Sequence, residues 1–173
     1  IASQGGNLQL NVSPMGDGTI PENQQTVLRA IGQWLKPNGE AIYGSRPWRV
    51  MGEGPGVPTQ CPADWRGGST DDTTNMIKGR RPRVQITEAN FRFTAANGNL
   101  YAFGYKYPAT ATIKSLSNSA AKVERVTLLG PNPQPVAFRP TAEALAVPLP
   151  PDPPSPDMPY TLRIEGSQGL AAV

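Results

Sequence analysis

The side chains that could do acid–base chemistry in this sequence are carboxylates, since it contains 13 acidic residues and no histidine. The lack of histidine excludes a Ser-His-Asp triad, and the single cysteine, Cys61, excludes a zinc site built from several cysteines. Paired carboxylates can share the roles of acid and base only when they converge. The candidates are Asp71 with Asp72 and Glu53 with Asp64. Adjacent residues on a strand point to opposite faces, so we predict no catalytic dyad and no catalytic residue here.

Metal ions and polyanions are not indicated either. Asp71 and Asp72 offer oxygen ligands of the kind calcium takes, but the loop lacks an Asp-x-Asp-x-Asp-Gly pattern, so a solvated acidic loop is favoured. The net charge is +3, and the densest basic stretch contains Lys78, Arg80, Arg81 and Arg83. Without a recognition helix or an aromatic-rich strand motif, that stretch indicates a solvated loop rather than a nucleic-acid surface. We therefore predict no metal, cofactor or nucleic-acid partner. No apolar window is long enough to span a bilayer, so we predict no membrane partner either.

Aromatic side chains give the remaining candidate binding residues. Trp48 and Trp65 flank a Gly- and Pro-rich stretch and could stack on a sugar face. The competing interpretation, that Trp48 packs at a junction between domains, is favoured, and the helical spacing of Trp34 indicates a core position. Three aromatic residues share one face of a predicted strand, where core packing is favoured over a ligand platform: Tyr101, Phe103 and Tyr105.

The first elements that must position these residues are a strand and a helix. Residues 7–12 alternate polar and apolar, which predicts a short strand, and turn residues follow it. Thr19 and Glu22 match a capping box with Pro21 in the first turn, so a helix is predicted over 21–36. Its apolar face contains Val27, Leu28, Ile31, Trp34 and Leu35. The sequence Pro37-Asn38-Gly39 predicts its end.

The rest of the chain predicts a mainly β domain. Residues 44–83 lack periodicity and are rich in Gly, Pro, Thr, Asp and Arg, which indicates a boundary and a connection. Seven β-like runs follow, at 83–87, 91–95, 100–105, 110–116, 123–129, 144–149 and 160–164. Ala96-Asn97-Gly98-Asn99 has a hairpin signature. The proline-dense tract 148–159 is a loop rather than a linker or a ligand for a proline-binding groove, because alternation resumes after it. These runs predict an antiparallel sandwich or barrel.

Several stretches resemble one known family. The most specific are residues 5–14 (GGNLQLNVSP), 16–21 (GDGTIP), 32–35 (GQWL) and 38–48 (NGEAIYGSRPW). Shorter ones follow at 52–55 (GEGP), 91–94 (FRFT), 99–102 (NLYA), 112–116 (TIKSL) and 126–130 (VTLLG). Together they resemble the carboxyl-terminal third of the α-L-fucosidases of glycoside hydrolase family 29, over most of residues 4–165.

The resemblance implies the end of a catalytic (β/α) barrel followed by a sandwich. Residues 1–47 would hold the last strand and helix of the barrel, 48–83 a connecting segment, and 84–173 an antiparallel β-sandwich. Loops at the carboxyl ends of barrel strands form active sites, so Asn11, Ser13, Met15 and Asp17 could border a sugar pocket. A loop that only turns the chain into the helix explains the same four residues equally well.

The family's catalytic residues have no counterpart in this sequence. The resemblance places the nucleophilic aspartate and the general acid on earlier strands, and the sequence opens without an initiator methionine or a leader. We therefore expect a part of a longer α-L-fucosidase that is inactive alone and mainly structural. The alternative is a free-standing carbohydrate-binding module built on the sandwich. The resemblance is compatible with a secreted or periplasmic protein.

The expected partners follow from the same layout. The full-length enzyme would bind a fucosylated glycan. The helix at 21–36 would expose its apolar face without a barrel, which predicts association with an upstream barrel segment, self-association, or packing on its own sandwich.

Overall fold

A computed structural model describes residues 1–57, 59 and 85–172. Within these residues it has one α-helix, α1, at Glu22–Asn38, and three short 3-10 helices at Ala2–Gln4, Gly39–Ala41 and Lys114–Leu116. The nine strands of the described part are β1 (Gly52–Glu53), β2 (Phe91–Ala96), β3 (Asn99–Gly104), β4 (Thr110–Ile113), β5 (Lys122–Leu129), β6 (Gln134–Pro135), β7 (Arg139–Pro140), β8 (Leu145–Pro148) and β9 (Tyr160–Gln168).

The strands form two antiparallel sheets. Among the described residues, the larger sheet has the order β1-β2-β3-β9-β5-β6 and the smaller one the order β4-β8-β7. The main core joins residues of both sheets, including Phe93, Leu162 and Ile164 from the larger and Ile113 and Val147 from the smaller. The predicted mainly β fold, an antiparallel sandwich preceded by a helix, is confirmed.

The β2–β3 hairpin shows how local sequence fixes the two faces of the larger sheet. Asn97 and Gly98 both have positive φ, 52° and 78°, as a two-residue primed turn requires. Ala96 then pairs with Asn99 and Phe93 with Ala102. Because side chains alternate, Phe91 and Phe93 enter the main core, whereas Tyr101 and Phe103 of β3 lie on the outer face.

The end of α1 covers that outer face. A second core cluster joins Tyr101, Phe103 and Leu129 of the larger sheet to Ala41, with Trp34 packed against it. The Trp34 and Phe103 rings lie 6.1 Å apart, and the Trp34 indole N–H donates to the Pro159 carbonyl over 2.7 Å. The carboxyl-terminal end of the helix is therefore fixed to the sandwich.

The rest of the apolar helix face is much more open. Val27 is 55% exposed, and Leu28, Ile31 and Leu35 are only half-buried. Apolar residues of the preceding segment are exposed beside it, including Leu8 and Leu10. The predicted apolar stripe exists, and the described residues bury it only in part.

The entry to the helix differs from its prediction. Residues 7–12 form no strand, because a strand needs a partner and no described segment pairs with them. The residue before the helix is Pro21, which has no side-chain oxygen to cap it, and the Thr19 hydroxyl bonds to Asp17 instead. The predicted strand and capping box are both wrong in this structure.

The helix also ends later than predicted. It includes Pro37 and Asn38, and Gly39 has a right-handed φ of −60° and begins a 3-10 turn. Proline in the last turn removes only one backbone hydrogen bond. Nδ2 of the Asn38 side chain donates to the Trp34 carbonyl over 2.8 Å, so a side chain supplies a donor where the helix ends.

The predicted β runs match the observed strands with two main differences. The described part of the first run, 85–87, is not a strand, and the run 110–116 becomes a 3-10 turn after Ile113. The division into 1–47, 48–83 and 84–173 stays a prediction. The structure places β1 beside β2, and Arg46 forms a bridge with Ala95, so residues before 84 pack on the sandwich.

Alanine substitutions at two glycines are expected to change the stability of the fold in opposite directions. A Cβ added at Gly166 would overlap the backbone carbonyl of Lys122 at an irregular pairing of β5 and β9, whereas Gly32 on the helix has open space. We expect Gly166→Ala to lower the free energy of unfolding by about 1–3 kcal/mol. Gly32→Ala is expected to raise it by about 0.5–1 kcal/mol. Urea denaturation of both variants checks the pair, and changes of equal sign would contradict it.

Candidate functional site

The four predicted pocket-border residues are exposed and precede α1. Asn11 lies in the wall of an open cleft of about 240 Å³, together with Val12 and the helix residues Asn23, Gln24 and Val27. Ser13, Met15 and Asp17 follow in a loop and do not line that cleft. The structure therefore brings Asn11 beside the first turns of the helix and places the other three on the neighbouring loop.

The loop, defined here as residues 13–20, is internally bonded. The Met15 amide donates to the Thr19 carbonyl over 2.8 Å, and the Gly18 amide donates to the Met15 carbonyl over 2.9 Å. Gly18 has a φ of 82°, a conformation that favours glycine. These bonds hold a compact turn, with the Met15 side chain 51% exposed.

Asp17 shapes this turn rather than offering a proton. Its carboxylate accepts from the Thr19 backbone amide at 2.9 Å and from the Thr19 hydroxyl at 2.7 Å. The bond from the Thr19 backbone amide, and to a smaller extent the bond from the Thr19 hydroxyl, hold the pKa of the Asp17 carboxyl below its usual range. A general acid needs a raised pKa, so Asp17 is unsuited to that role.

Two consecutive glutamines join both ends of the loop to the helix. The Ser13 amide donates to Oε1 of Gln24 over 2.9 Å, and Nε2 of Gln25 donates to the Ile20 carbonyl over 2.7 Å. Arg29, one turn further along, donates to Oε1 of Gln25 over 2.8 Å. No motif in the sequence singles out these residues; the available signal was a pair of glutamines in the first turn of a helix that follows a loop.

The predicted sugar-stacking residues are not brought together. Trp48 is 2% exposed, packs edge-on against Phe93 with ring centres 5.2 Å apart, and donates to the Gly169 carbonyl. A stacking platform needs an open ring face, so the proposed sugar contact of Trp48 is contradicted. The ring packs in the main core of the sandwich, and its place at a junction between domains stays a prediction. Trp65 lies outside the described residues.

The aromatic row on β3 is divided. Tyr101 and Phe103 are buried under the helix end, which agrees with the core interpretation, whereas Tyr105 lies past the strand and is 42% exposed. Burial, followed by the negative charge of Glu40, raises the pKa of the Tyr101 hydroxyl. The phenol therefore stays neutral at physiological pH.

Three of the described carboxylates, Glu40, Glu53 and Glu165, make structural contacts on the sandwich. Glu53 is 8% exposed and accepts from the Lys114 and Ser115 amides and from the Ser115 hydroxyl. Glu40 and Glu165 both pair with Arg163 on the outer face of the larger sheet. In the described part of the chain no group of three or more His, Cys, Asp or Glu side chains could hold a metal ion.

Several earlier candidates lie outside the described residues: Asp64, Asp71, Asp72 and the basic stretch from Lys78 to Arg83. Within the ranges that are described, no helix is long and apolar enough to cross a membrane.

Comparison with known proteins supports one family by sequence. Residues 1–40 match the family described as α-L-fucosidase. The chain is 55% identical to the tissue α-L-fucosidase of Mus musculus over 51 residues, which is 30% of this chain and 11% of that protein. It is 55% identical to the α-L-fucosidase of Dictyostelium discoideum over 47 residues, 27% of this chain and 10% of that protein. The matched segments span about a tenth of these curated relatives.

Comparison by structure covers nearly the whole chain. The α-fucosidase of Thermotoga maritima in complex with fucose aligns with a TM-score of 0.61 at 24% identity, over 94% of this chain and 31% of that one. α-L-Fucosidase isoenzyme 1 of Paenibacillus thiaminolyticus aligns with a TM-score of 0.62 at 20% identity, over 96% and 32%. At these identities the likeness concerns the fold. The chain is thus similar to the α-L-fucosidases by sequence in its amino-terminal part, and similar to solved fucosidase structures by fold over most of its length.

Proposed function

We propose that this chain is the carboxyl-terminal part of a retaining α-L-fucosidase, in which it completes the catalytic barrel and carries the β-sandwich. The observation that carries the proposal is the coincidence of two matches. Residues 1–40 match the family by sequence, and they contain a helix whose carboxyl-terminal end packs on a sandwich that resembles solved fucosidases in fold.

The open helix face supports a missing neighbour. Val27 is exposed and Leu28 and Ile31 are half-buried, although the same helix is well fixed at Trp34. In the proposed enzyme an upstream barrel segment covers this face. Residues 7–12 then pair with neighbouring barrel strands, which accounts for an alternating pattern that finds no partner among the described residues.

We further propose that Asn11, Ser13, Met15 and Asp17 border the sugar pocket of the assembled enzyme. They lie on the segment that would connect the last barrel strand to its helix, and active sites of such barrels are built from these loops. The role is contact and shape, because the lowered pKa keeps the Asp17 carboxyl ionised and without a proton to donate, and Asn11, Ser13 and Met15 carry no carboxyl group. A fucosylated glycan is the proposed ligand.

The proposal is tested by comparing fucoside hydrolysis by the chain alone with hydrolysis by the chain joined to an upstream fucosidase barrel. Retaining hydrolysis needs two carboxyl groups about 5–5.5 Å apart. The family's nucleophile and general acid have no counterpart in this sequence, and the carboxylates of Asp17, Glu40 and Glu53 are engaged in hydrogen bonds or an ion pair. We therefore expect no turnover of an aryl α-L-fucoside by the 173-residue chain. The chain joined to the upstream part of a fucosidase barrel is expected to hydrolyse it.

Two controls make this result decisive. Catalytic activity of the chain alone that is lost on changing one of its own exposed carboxylates, such as Glu40, would overturn the proposal. Light scattering of the chain alone tests the open face. Self-association is expected, and reversal by Val27→Lys would assign it to the helix.

A free-standing carbohydrate-binding module is less well supported, because buried Trp48 offers no ring face to a sugar.

A further inference from the structure

The two glutamines that close the 13–20 loop use opposite hydrogen-bond polarity. Gln24 accepts through Oε1 from the Ser13 amide at the start of the loop. Gln25 donates through Nε2 to the Ile20 carbonyl at its end. One side chain therefore needs an acceptor and the other needs a donor, which makes their roles separable by isosteric substitution.

Arg29 fixes the orientation of the second amide. Its guanidinium has only donors, and it donates to Oε1 of Gln25 over 2.8 Å. With the oxygen engaged there, the NH₂ group of Gln25 faces the Ile20 carbonyl. The pair Gln25–Arg29 has the i,i+4 spacing that places two side chains together on a helix surface.

We propose that Gln24 and Gln25 are positioning residues that hold the 13–20 loop in one shape and so present Met15 to the glycan. This role rests on the proposed function. The loop already contains the Asp17–Thr19 and Met15–Thr19 hydrogen bonds, and the two glutamines tie this preformed turn to the helix. Holding a substrate-bordering loop in place avoids the ordering cost when substrate binds.

Isosteric variants of the 173-residue chain test the hydrogen bonds directly. Gln24→Glu keeps an acceptor for the Ser13 amide, whereas Gln24→Ala removes it. Gln25→Glu loses the donor to the Ile20 carbonyl but forms a favourable helical pair with Arg29. We expect Gln24→Ala and Gln25→Glu to speed backbone amide exchange over residues 13–20 by about five-fold, as loss of one hydrogen bond predicts. Gln24→Glu should leave it unchanged.

Gln33 is the matched control, because it is an exposed glutamine on the same helix. Gln33→Glu and Gln33→Ala should not alter exchange in the loop, and far-ultraviolet circular dichroism should show the helix intact in every variant. Unchanged exchange in Gln25→Glu would overturn the proposal. The same holds if Gln24→Glu loosens the loop as much as Gln24→Ala.

Kinetics of the chain joined to an upstream fucosidase barrel separate positioning from simple stability. We expect Gln25→Glu to raise the KM for an α-L-fucoside by about five-fold while kcat is retained, with the control variant Gln33→Glu close to the parent. A loosened loop with unchanged KM and kcat would overturn the positioning role. If the joined parent protein hydrolyses no fucoside, the proposed function fails and the positioning role with it, whereas the exchange pattern still decides whether the glutamines bind the loop.

Discussion

Trp48→Ala is expected to lower the free energy of unfolding by about 3–5 kcal/mol, the usual cost of removing a buried aromatic side chain. The indole is 2% exposed, packs against Phe93 and lies in the main core between the two sheets. Its N–H also donates to the Gly169 carbonyl over 3.0 Å, so the side chain ties the segment before β1 to the end of the chain. Urea denaturation followed by circular dichroism measures the loss.

Trp48→Phe is the matched control. It keeps an aromatic ring beside Phe93 but removes the donor to Gly169, so a smaller loss of about 1–2 kcal/mol is expected. A loss below about 1 kcal/mol for Trp48→Ala would contradict its core position. Equal losses for the two variants would instead mean that the hydrogen bond, and not the packing, stabilises this junction.

Glu53→Ala is expected to lower the free energy of unfolding by about 2–4 kcal/mol, because buried donors are left without an acceptor. Both oxygens of this carboxylate are used: Oε1 accepts from the Lys114 amide over 2.8 Å and Oε2 from the Ser115 amide over 2.7 Å. The Ser115 hydroxyl bonds to the same group. The residue thus joins β1 of the larger sheet to the turn that follows β4 of the smaller one.

Two further variants sharpen this second result. Glu53→Gln keeps one acceptor and turns an NH₂ group toward the other donor, so it should lose stability, but less than the alanine variant. Glu124 on β5 is exposed, and Glu124→Ala should change stability by no more than about 0.5 kcal/mol. Equal small effects at Glu53 and Glu124 would show that the buried carboxylate is dispensable.

Local patterns predicted the sandwich well. The Asn97-Gly98 turn and the alternation of β2 and β3 depend on neighbours in sequence, and the structure contains both. The predicted strand at 7–12 is absent because a strand depends on a partner from another segment, and no described segment pairs with these residues. The predicted capping box is absent because the Thr19 hydroxyl donates to the Asp17 carboxylate, two residues before it, instead of capping the helix.

The candidate site was predicted only in outline. The pattern placed Asn11 and Met15 before a helix, and they are there, exposed. It gave no sign that Trp48 would reach Gly169 or that Glu53 would reach Ser115, because both contacts join residues more than sixty positions apart. Such contacts arise from the packing of the two sheets, which no local window of sequence contains.

Helix α1 is attached to the sandwich near its carboxyl-terminal end and carries the 13–20 loop at its amino-terminal end. Trp34 attaches its far end to the sandwich, while Gln24 and Gln25 hold the loop at the other. From Gln24 to Trp34 an α-helix rises about 15 Å, so a tilt of about 5° at Trp34 moves the loop by about 1.3 Å. A displacement of that size is enough to impair catalysis where the loop borders a substrate. If the 13–20 loop borders a sugar pocket as proposed, the sandwich sets the position of that loop through the helix, and substitutions at Trp34 or Pro159 are expected to weaken sugar binding.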